Sequence, residues 1–246
     1  IIENENKKEY TKRMKYYIIP QPKDVEFNNN KYFLPQDILY VTACQRIMEK
    51  LRTGINDFCK EVNNYCNIKI EGILKNFPLA GHINLIIDNM NFNGKDIESY
   101  ELSIENNGIY IKSGAPQGLY YGLQTLTQIF KQVKEKTIFG IHIKDEPALK
   151  TRGILLDLRM QTFNLSYLLD FIRTLSSYKL NTLVIEYSDK FPYYGKYEAI
   201  RNVNCFSETD VETIVEYCHE HFFEIIPFVQ SFGHMDYILR TDKYRY

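Results

Sequence analysis

Three apolar runs in the second half of the sequence each end in side chains that can do chemistry. Arg159 follows the first run, Glu186 and Asp189 follow the second, and His234 follows the third. Carboxylates, an imidazole and a guanidinium are groups that proteins use for acid–base catalysis and for binding polar ligands. Because the carboxyl ends of parallel strands meet at one edge of a sheet, the pattern predicts a single shared pocket.

The elements that must position these side chains are strands that alternate with amphipathic helices. Strands are predicted to begin at Gly153, Leu183 and Ile225, and their unbroken apolar character is typical of strands buried on both faces. Asn164 caps the predicted helix after the first strand, and Ser207 begins a capping box ahead of the third. The alternation predicts the α/β fold class with a parallel sheet.

The first half of the sequence has a different pattern, which predicts a small α+β domain over residues 16–148. Within it, Tyr100–Ile104 and Ile109–Lys112 predict an antiparallel hairpin, because a turn sequence separates two short strand-like runs. Residues 1–15 mix charged and amide side chains without an apolar period, so we expect a disordered or frayed leader there. The domain boundary is predicted close to residue 148.

Two helices are predicted in this α+β domain. The first is an amphipathic helix capped by Thr42, and the second follows Pro116 and carries Gly118 and Gly122 one turn apart. Glycine lowers helix propensity, so a close approach of this helix to a sheet is the expected compensation.

The length of the second region sets a limit on its architecture. An eight-stranded β/α barrel needs about 250 residues, whereas 98 remain from Leu149 to Tyr246. We therefore expect residues 149–246 to form the first three β/α units of a TIM-type (β/α)8 barrel. The remainder of that barrel is expected C-terminal to this segment, unless another structure covers the open edge.

Composition excludes several classes of partner. Among 246 residues, 30 are Lys or Arg and 31 are Asp or Glu, so no overall charge favours nucleic acid or an anionic membrane. The sequence shows neither a secretion signal nor an apolar run near the roughly 20 residues that span a bilayer, which makes a cytoplasmic location the expectation. Five scattered cysteines indicate neither a disulfide framework nor a metal site. The absence of Trp weighs mildly against sugar binding.

Several motifs nevertheless resemble one family of sugar-cleaving enzymes. Gly118–Gln128, Asp145–Pro147 and Arg152–Asp157 are similar to the passage from the small N-terminal domain into the catalytic barrel of glycoside hydrolase family 20. Ile185–Tyr193 and Pro227–Asp236 resemble its hexosaminidase D-like branch nearly residue for residue. The resemblance covers most of the chain and is specific in the second half.

The resemblance implies a β-N-acetylhexosaminidase that acts on oligosaccharides or glycoconjugates with a terminal N-acetylhexosamine. In this family the acetamido group of the substrate is the nucleophile, so no metal or cofactor is expected. An aspartate orients the acetamide and the following glutamate protonates the leaving oxygen. The family carries this Asp-Glu pair after the fourth barrel strand, beyond these 246 residues. The segment alone is therefore predicted to be inactive.

The resemblance also assigns supporting roles to individual residues. Asp189 and His234 match the carboxylate and imidazole that support the general acid, and Arg159 and Glu186 are the expected substrate-binding residues. The family arginine aligns with Met160 rather than Arg159, although the hexosaminidase D-like branch has a basic residue at the Arg159 position. Glu186 has a structural alternative, in which it only pairs with a basic group at the strand end.

The other three residues have structural alternatives as well. His234 could cap a turn, Asp189 could form a surface ion pair with Lys190, and Arg159 could bridge to Asp157. At the level of the whole chain, the alternative is a catalytically silent carbohydrate-binding or scaffold fragment. An unrelated β/α-barrel enzyme is also compatible with the periodicity alone.

Overall fold

The computed structural model describes residues 16–133, 135–161 and 163–245, and the predicted leader over residues 1–15 lies outside them. Two units make up the chain, of which the first ends at Ala148 and the second begins at Leu149. The first unit contains a seven-stranded mixed sheet, and the second contains a three-stranded parallel sheet.

The sheet of the first unit has the strand order β1-β7-β5-β6-β4-β2-β3. Its strands are β1 (Asp24–Phe33), β2 (Ile38–Ala43), β3 (Lys69–Leu74), β4 (Ile83–Ile87), β5 (Tyr100–Glu105), β6 (Gly108–Ser113) and β7 (Thr137–Asp145). Strands β5 and β6 form the predicted antiparallel hairpin. The helices of the first unit are α1 (Gln45–Lys50), α2 (Arg52–Cys66) and α3 (Pro116–Phe130). The alternate residues of β5, Tyr100, Leu102 and Ile104, are buried in the core.

The approach of helix α3 to the sheet confirms the prediction from its two glycines. A Cβ atom at Gly118 would overlap the side chain of Ser113 and the carbonyl oxygen of Ser99, and one at Gly122 would overlap Ile111. Only a residue without a side chain fits at such a distance. The loss of helix propensity is therefore compensated by close packing of α3 on the sheet.

The predicted cap at Thr42 is wrong. Thr42 lies inside strand β2, where its hydroxyl donates a hydrogen bond to Asn84, and helix α1 begins after Cys44 without a side-chain cap. A β-branched residue between the buried Val41 and Ala43 suits a strand. The predicted helix is also divided, because the chain departs from helical geometry at Leu51.

The second unit contains strands β8 (Gly153–Asp157), β9 (Thr182–Glu186) and β10 (Glu224–Pro227), all parallel, with β9 in the centre. Helices α4 (Leu165–Ser177) and α5 (Glu208–Glu220) pack on one face of this sheet through a shared apolar core. The predicted caps are present: Asn164 accepts from the backbone of Tyr167, and Ser207 and Asp210 form a capping box. A short helix α6 (Asp236–Leu239) follows β10.

The other face of the three-stranded sheet carries an apolar row. Leu155, Val184 and Ile226 lie opposite one another in neighbouring strands. Leu155 is 54% exposed and Ile226 is 39% exposed, so within the described part of the second unit this face is largely uncovered.

Among the described helices, none combines the length and the apolar character needed to cross a bilayer.

Candidate active site

Glu186, the last residue of β9, links the ends of all three strands. Its side chain is 2% exposed. One oxygen, Oε1, accepts a hydrogen bond from Ser188 Oγ at 3.2 Å and lies 3.4 Å from Arg159 Nε, and Oε2 accepts from Gln230 Nε2 at 3.2 Å. Arg159 follows β8, Ser188 follows β9, and Gln230 follows β10. The structure thus joins the three strand ends through one buried carboxylate.

The backbone at Ser188 is shaped to make this contact. Ser188 has a φ of 47°, in the left-handed region that residues other than glycine seldom adopt. This conformation starts a single 3-10 turn, Ser188–Lys190, directly after the strand. Strain of this kind persists where the surrounding contacts determine the conformation. Here those contacts include the hydrogen bond from the Ser188 hydroxyl to Glu186.

Arg159 is held mainly by Asp157. Its Nε lies 3.0 Å from each carboxylate oxygen of Asp157, its Nη2 donates to Oδ2 at 2.6 Å, and its backbone N–H also donates to Oδ1. The guanidinium hydrogen bonds hold the pKa of Asp157 below its usual value of 3.8. The bridge that was the structural alternative for Arg159 is therefore present. It leaves Nη1 without a hydrogen bond within the described residues.

Asp189 lies in a buried cationic and amide environment. Its Oδ2 accepts from Asn202 Nδ2 at 2.9 Å and from Arg240 Nη2 at 3.0 Å, and Lys190 Nζ lies 3.5 Å from Oδ1. The ion pair with Lys190 exists, but both side chains are largely buried, so the surface interpretation does not describe it. A backbone hydrogen bond from Asn202 to the carbonyl of Asp189 folds the intervening loop back onto this turn.

His234 is exposed and has a φ of 54°. Its charge contributes to lowering the pKa of Asp157, as the last of several causes. Across the part of the chain that the structure describes, His234 and Asp189 share no hydrogen bond or ion pair. The supporting roles expected for Asp189 and His234 stay predictions.

A tyrosine pair borders the same cluster, and sequence reasoning did not find it. Tyr193 and Tyr237 are hydrogen-bonded to each other, and Tyr237 is buried. Burial raises the pKa of Tyr193 to about 12, with smaller contributions from Tyr237 and from the charge of Asp189. The pair joins the loop after β9 to helix α6. The sequence signal for this pair was the aromatic-rich run Tyr193-Tyr-Gly-Lys-Tyr197.

Comparison with known proteins identifies the family. The model named "Glycosyl hydrolase family 20, domain 2" matches residues 15–146, more than half of the chain. The chain belongs to glycoside hydrolase family 20. Human Hexosaminidase D is 34% identical over 89 residues, which cover 36% of this chain and 18% of that protein. Beta-hexosaminidase subunit beta of Entamoeba histolytica is 28% identical over 132 residues, covering 49% and 23% respectively.

Solved structures of the family share the fold. A Streptomyces plicatus beta-hexosaminidase variant in complex with the product GlcNAc aligns over 91% of this chain and 48% of its own, with a TM-score of 0.78 and 18% identity. The Flavobacterium johnsoniae chitobiase aligns over 91% and 36%, with a TM-score of 0.75 and 22% identity. The chain spans about a fifth of the length of the curated relatives described above.

The family 20 chain shows no metal-binding arrangement within its described residues, in which no group of three or more His, Cys, Asp or Glu side chains is placed to hold an ion. The carboxylates of Asp157, Glu186 and Asp189 instead face guanidinium, ammonium, amide and hydroxyl donors. Such an arrangement can orient a polar ligand through hydrogen bonds.

Proposed function

We propose that the protein containing this chain removes terminal β-linked N-acetylhexosamine from oligosaccharides or glycoconjugates. Membership of family 20 and the names of the relatives support this substrate class. The observation that carries the proposal is the polar network around Glu186, which gathers groups from three parallel strand ends. Active sites of β/α barrels are built at this end of the strands.

The proposed reaction proceeds with retention of configuration. The carbonyl oxygen of the substrate's 2-acetamido group attacks the anomeric carbon, the glycosidic C–O bond breaks, and a general acid protonates the leaving oxygen. Water then adds to the anomeric carbon and restores the acetamido group. No Asp-Glu dipeptide occurs in residues 149–246. In this proposal the acid belongs to a further β/α unit of the same barrel, for which these strands are the first three.

Arg159 and Glu186 are the proposed substrate-binding residues. Asp157 fixes the Nε and Nη2 side of the guanidinium, so the two N–H donors of Nη1 remain available to sugar hydroxyl groups. A carboxylate has about four lone-pair positions, and Glu186 faces three donors, so it retains capacity to accept from a hydroxyl beside Arg159.

Asp189 and His234 are the proposed supports of the general acid. The exposed imidazole of His234 is accessible to a carboxyl group supplied by a further barrel strand. An imidazole beside a carboxyl group can change the proton affinity of that carboxyl group as charge moves during the reaction. Asp189 is held in place by Asn202 and Arg240.

Two assays with a chromogenic N-acetylglucosaminide test the proposal. The 246-residue chain should give no hydrolysis above the buffer rate, and turnover at ordinary enzyme rates would show that the acid is misplaced. In a protein with the completed barrel, Arg159→Met should lower kcat/KM by roughly 10- to 100-fold, because a charged hydrogen bond is lost. Arg173→Met, which changes an exposed helix arginine, is the matched control. Sugar binding without turnover by the completed protein would instead favour the silent alternative.

A further inference from the structure

Residues 236–245, which follow β10, are fastened to the loop that follows β9. The contacts, which together we call the clasp, run from Tyr237 to Tyr193, from Arg240 to Asp189, and from the Tyr244 hydroxyl to the carbonyl oxygen of Lys196. Strand pairing ends before either of these segments begins, so the sheet does not determine how the two segments meet. The clasp therefore fixes the relative position of two strand-end loops.

The Asp189 carboxylate is bound asymmetrically at the centre of the clasp. Asn202 Nδ2 at 2.9 Å and Arg240 Nη2 at 3.0 Å both donate to the same oxygen, Oδ2. The Lys190 ammonium lies 3.5 Å from Oδ1, beyond the range of about 2.7–3.2 Å for a direct N–H···O hydrogen bond. Within the described residues, Oδ1 accepts no hydrogen bond. Two donors on Oδ2 thus set the orientation of the carboxylate and leave Oδ1 for another partner.

Arg240 is suited to orient this carboxylate rather than to stabilise the fold. Its side chain is 61% exposed, whereas that of Asp189 is 8% exposed. Water competes for an exposed guanidinium, so such an ion pair adds little to folding stability. A second donor from a different direction still restricts the rotation that the Asn202 hydrogen bond alone would allow. Precise orientation of this kind matters most where a reaction depends on it.

The clasp borders the polar network of the proposed active site. Burial raises the pKa of Tyr237, and the charges of Glu186 and Asp189 raise it further, so its phenol lies near both carboxylates. His234, two residues before the clasp segment, enters it through a backbone with a φ of 54°. A contact within the clasp is therefore close enough to affect the groups of the site.

We propose that Arg240 is a positioning residue for the general acid step of the proposed reaction. By binding Oδ2 of Asp189, it holds the carboxylate so that Oδ1 remains available to support the acid. The acid gives its proton to the leaving oxygen as the glycosidic C–O bond breaks, and Arg240 neither gains nor loses a proton. This inference rests on the proposed function, in which Asp189 has that supporting role.

Two substrates that differ in their need for an acid test this role in the protein with the completed barrel. A phenyl N-acetylglucosaminide requires protonation of its leaving oxygen, whereas a 2,4-dinitrophenyl N-acetylglucosaminide has a leaving group stable enough to depart without it. Arg240→Met should lower kcat/KM for the phenyl substrate by roughly ten-fold, the effect of one lost hydrogen bond to a charged group. For the dinitrophenyl substrate the loss should be about two-fold or less.

Two further variants control for charge and for folding. Arg240→Lys keeps a charged donor for Oδ2, so it should recover most of the lost rate on the phenyl substrate. Arg245→Met removes a partly exposed charge from the same segment, where Arg245 lies 3.9 Å from Asp242, and should leave both rates unchanged.

The two proposals fail through different results. A loss on the phenyl substrate that exceeds the loss on the dinitrophenyl substrate, with recovery in Arg240→Lys, supports the positioning role. Equal losses on both substrates would overturn it, because they would show that Arg240 only maintains the structure of the site. An unchanged rate on the phenyl substrate would overturn it as well. Absence of hydrolysis of both substrates by the unmodified completed protein would instead contradict the proposed function itself.

Discussion

Replacing Glu186 by glutamine should weaken the second unit, because glutamine keeps the shape of the side chain and removes its charge. One oxygen of the glutamine can still accept a hydrogen bond. The new amide group faces either Gln230 Nε2 or the Ser188 hydroxyl and Arg159 Nε, which are donors in the present network. A hydrogen bond to a charged group contributes about 1.5–3 kcal/mol, and an unsatisfied buried group costs about 1–3 kcal/mol. Since Arg159 is partly exposed, we expect a total loss of about 2–4 kcal/mol.

Hydrogen exchange with mass spectrometry measures this loss in the correct part of the chain. Each 1.4 kcal/mol corresponds to a tenfold change in an opening equilibrium, so amides of Thr182–Glu186 should exchange roughly 30- to 1,000-fold faster. Peptides from the first unit, such as Tyr100–Glu105, provide the internal reference. Glu198→Gln is the matched control, because Glu198 pairs with Arg201 on the surface. Such an exposed pair contributes at most about 1 kcal/mol.

Equal exchange rates of β9 in Glu186→Gln and in the unmodified chain would contradict this prediction. In that case the buried carboxylate would contribute nothing measurable to the junction of the three strand ends. Faster exchange in both units would also contradict it, because the network lies entirely within the second unit.

Three further predictions concern packing, protonation and reactivity. Gly118→Ala should destabilise the first unit by about 1–3 kcal/mol in thermal unfolding, because helix α3 has no space for a methyl group. Gly233→Ala, where the added carbon meets no atom within 4 Å, should change stability little. In an NMR titration followed at its carboxyl carbon, Asp157 should show a pKa below 3.8. Because folding lowers the pKa of Asp157, the stability that this carboxylate contributes is present above about pH 4 and is lost as the pH falls through the folded pKa. Burial raises the pKa of Cys218 to about 12, so iodoacetamide at pH 8 should modify it about 100-fold more slowly than the more accessible Cys205.

Local sequence signals predicted the helices and strands of the second unit. Asn164 and Ser207 have side chains that satisfy backbone N–H groups at helix starts, and both do so in the structure. Thr42 carries the same type of signal, yet it lies in a strand. A Thr side chain can cap a helix, but the conformation also depends on the residues beside it. Buried apolar residues on both sides of Thr42 favour strand pairing. Capping residues therefore predict helix starts only where the flanking residues do not already form a strand.

The candidate site was predictable only as far as strand ends determine it. Glu186 ends β9 beside Asp157, the last residue of the neighbouring parallel β8, and Arg159 follows Asp157 by two residues, so the topology brings Arg159 close to Glu186. The partners of Asp189 are different, because Asn202 is 13 residues away and Arg240 is 51 residues away, both in irregular segments. No periodic pattern relates such positions. Their contact depends on how the loop folds back onto the turn after β9, which side-chain packing decides.

In the second unit, the polar network at the strand ends and the apolar face of the sheet differ in how completely the described residues satisfy them. Among the described residues, the hydrogen bonds and the ion pair of the Glu186 side chain come from residues that follow β8, β9 and β10. On the face opposite the helices, the row that includes Leu155 and Ile226 remains exposed. The Glu186 carboxylate thus has its hydrogen-bond donors although the apolar row is uncovered. In the proposed barrel, covering this row would add stability through apolar burial, whereas the geometry of Arg159 and Glu186 would already be determined by adjacent strands. In this proposal, β8 and β9 supply the sugar-binding Arg159 and Glu186, a further strand supplies the proton donor, and Asp189 and His234 are the residues through which these strands support that donor.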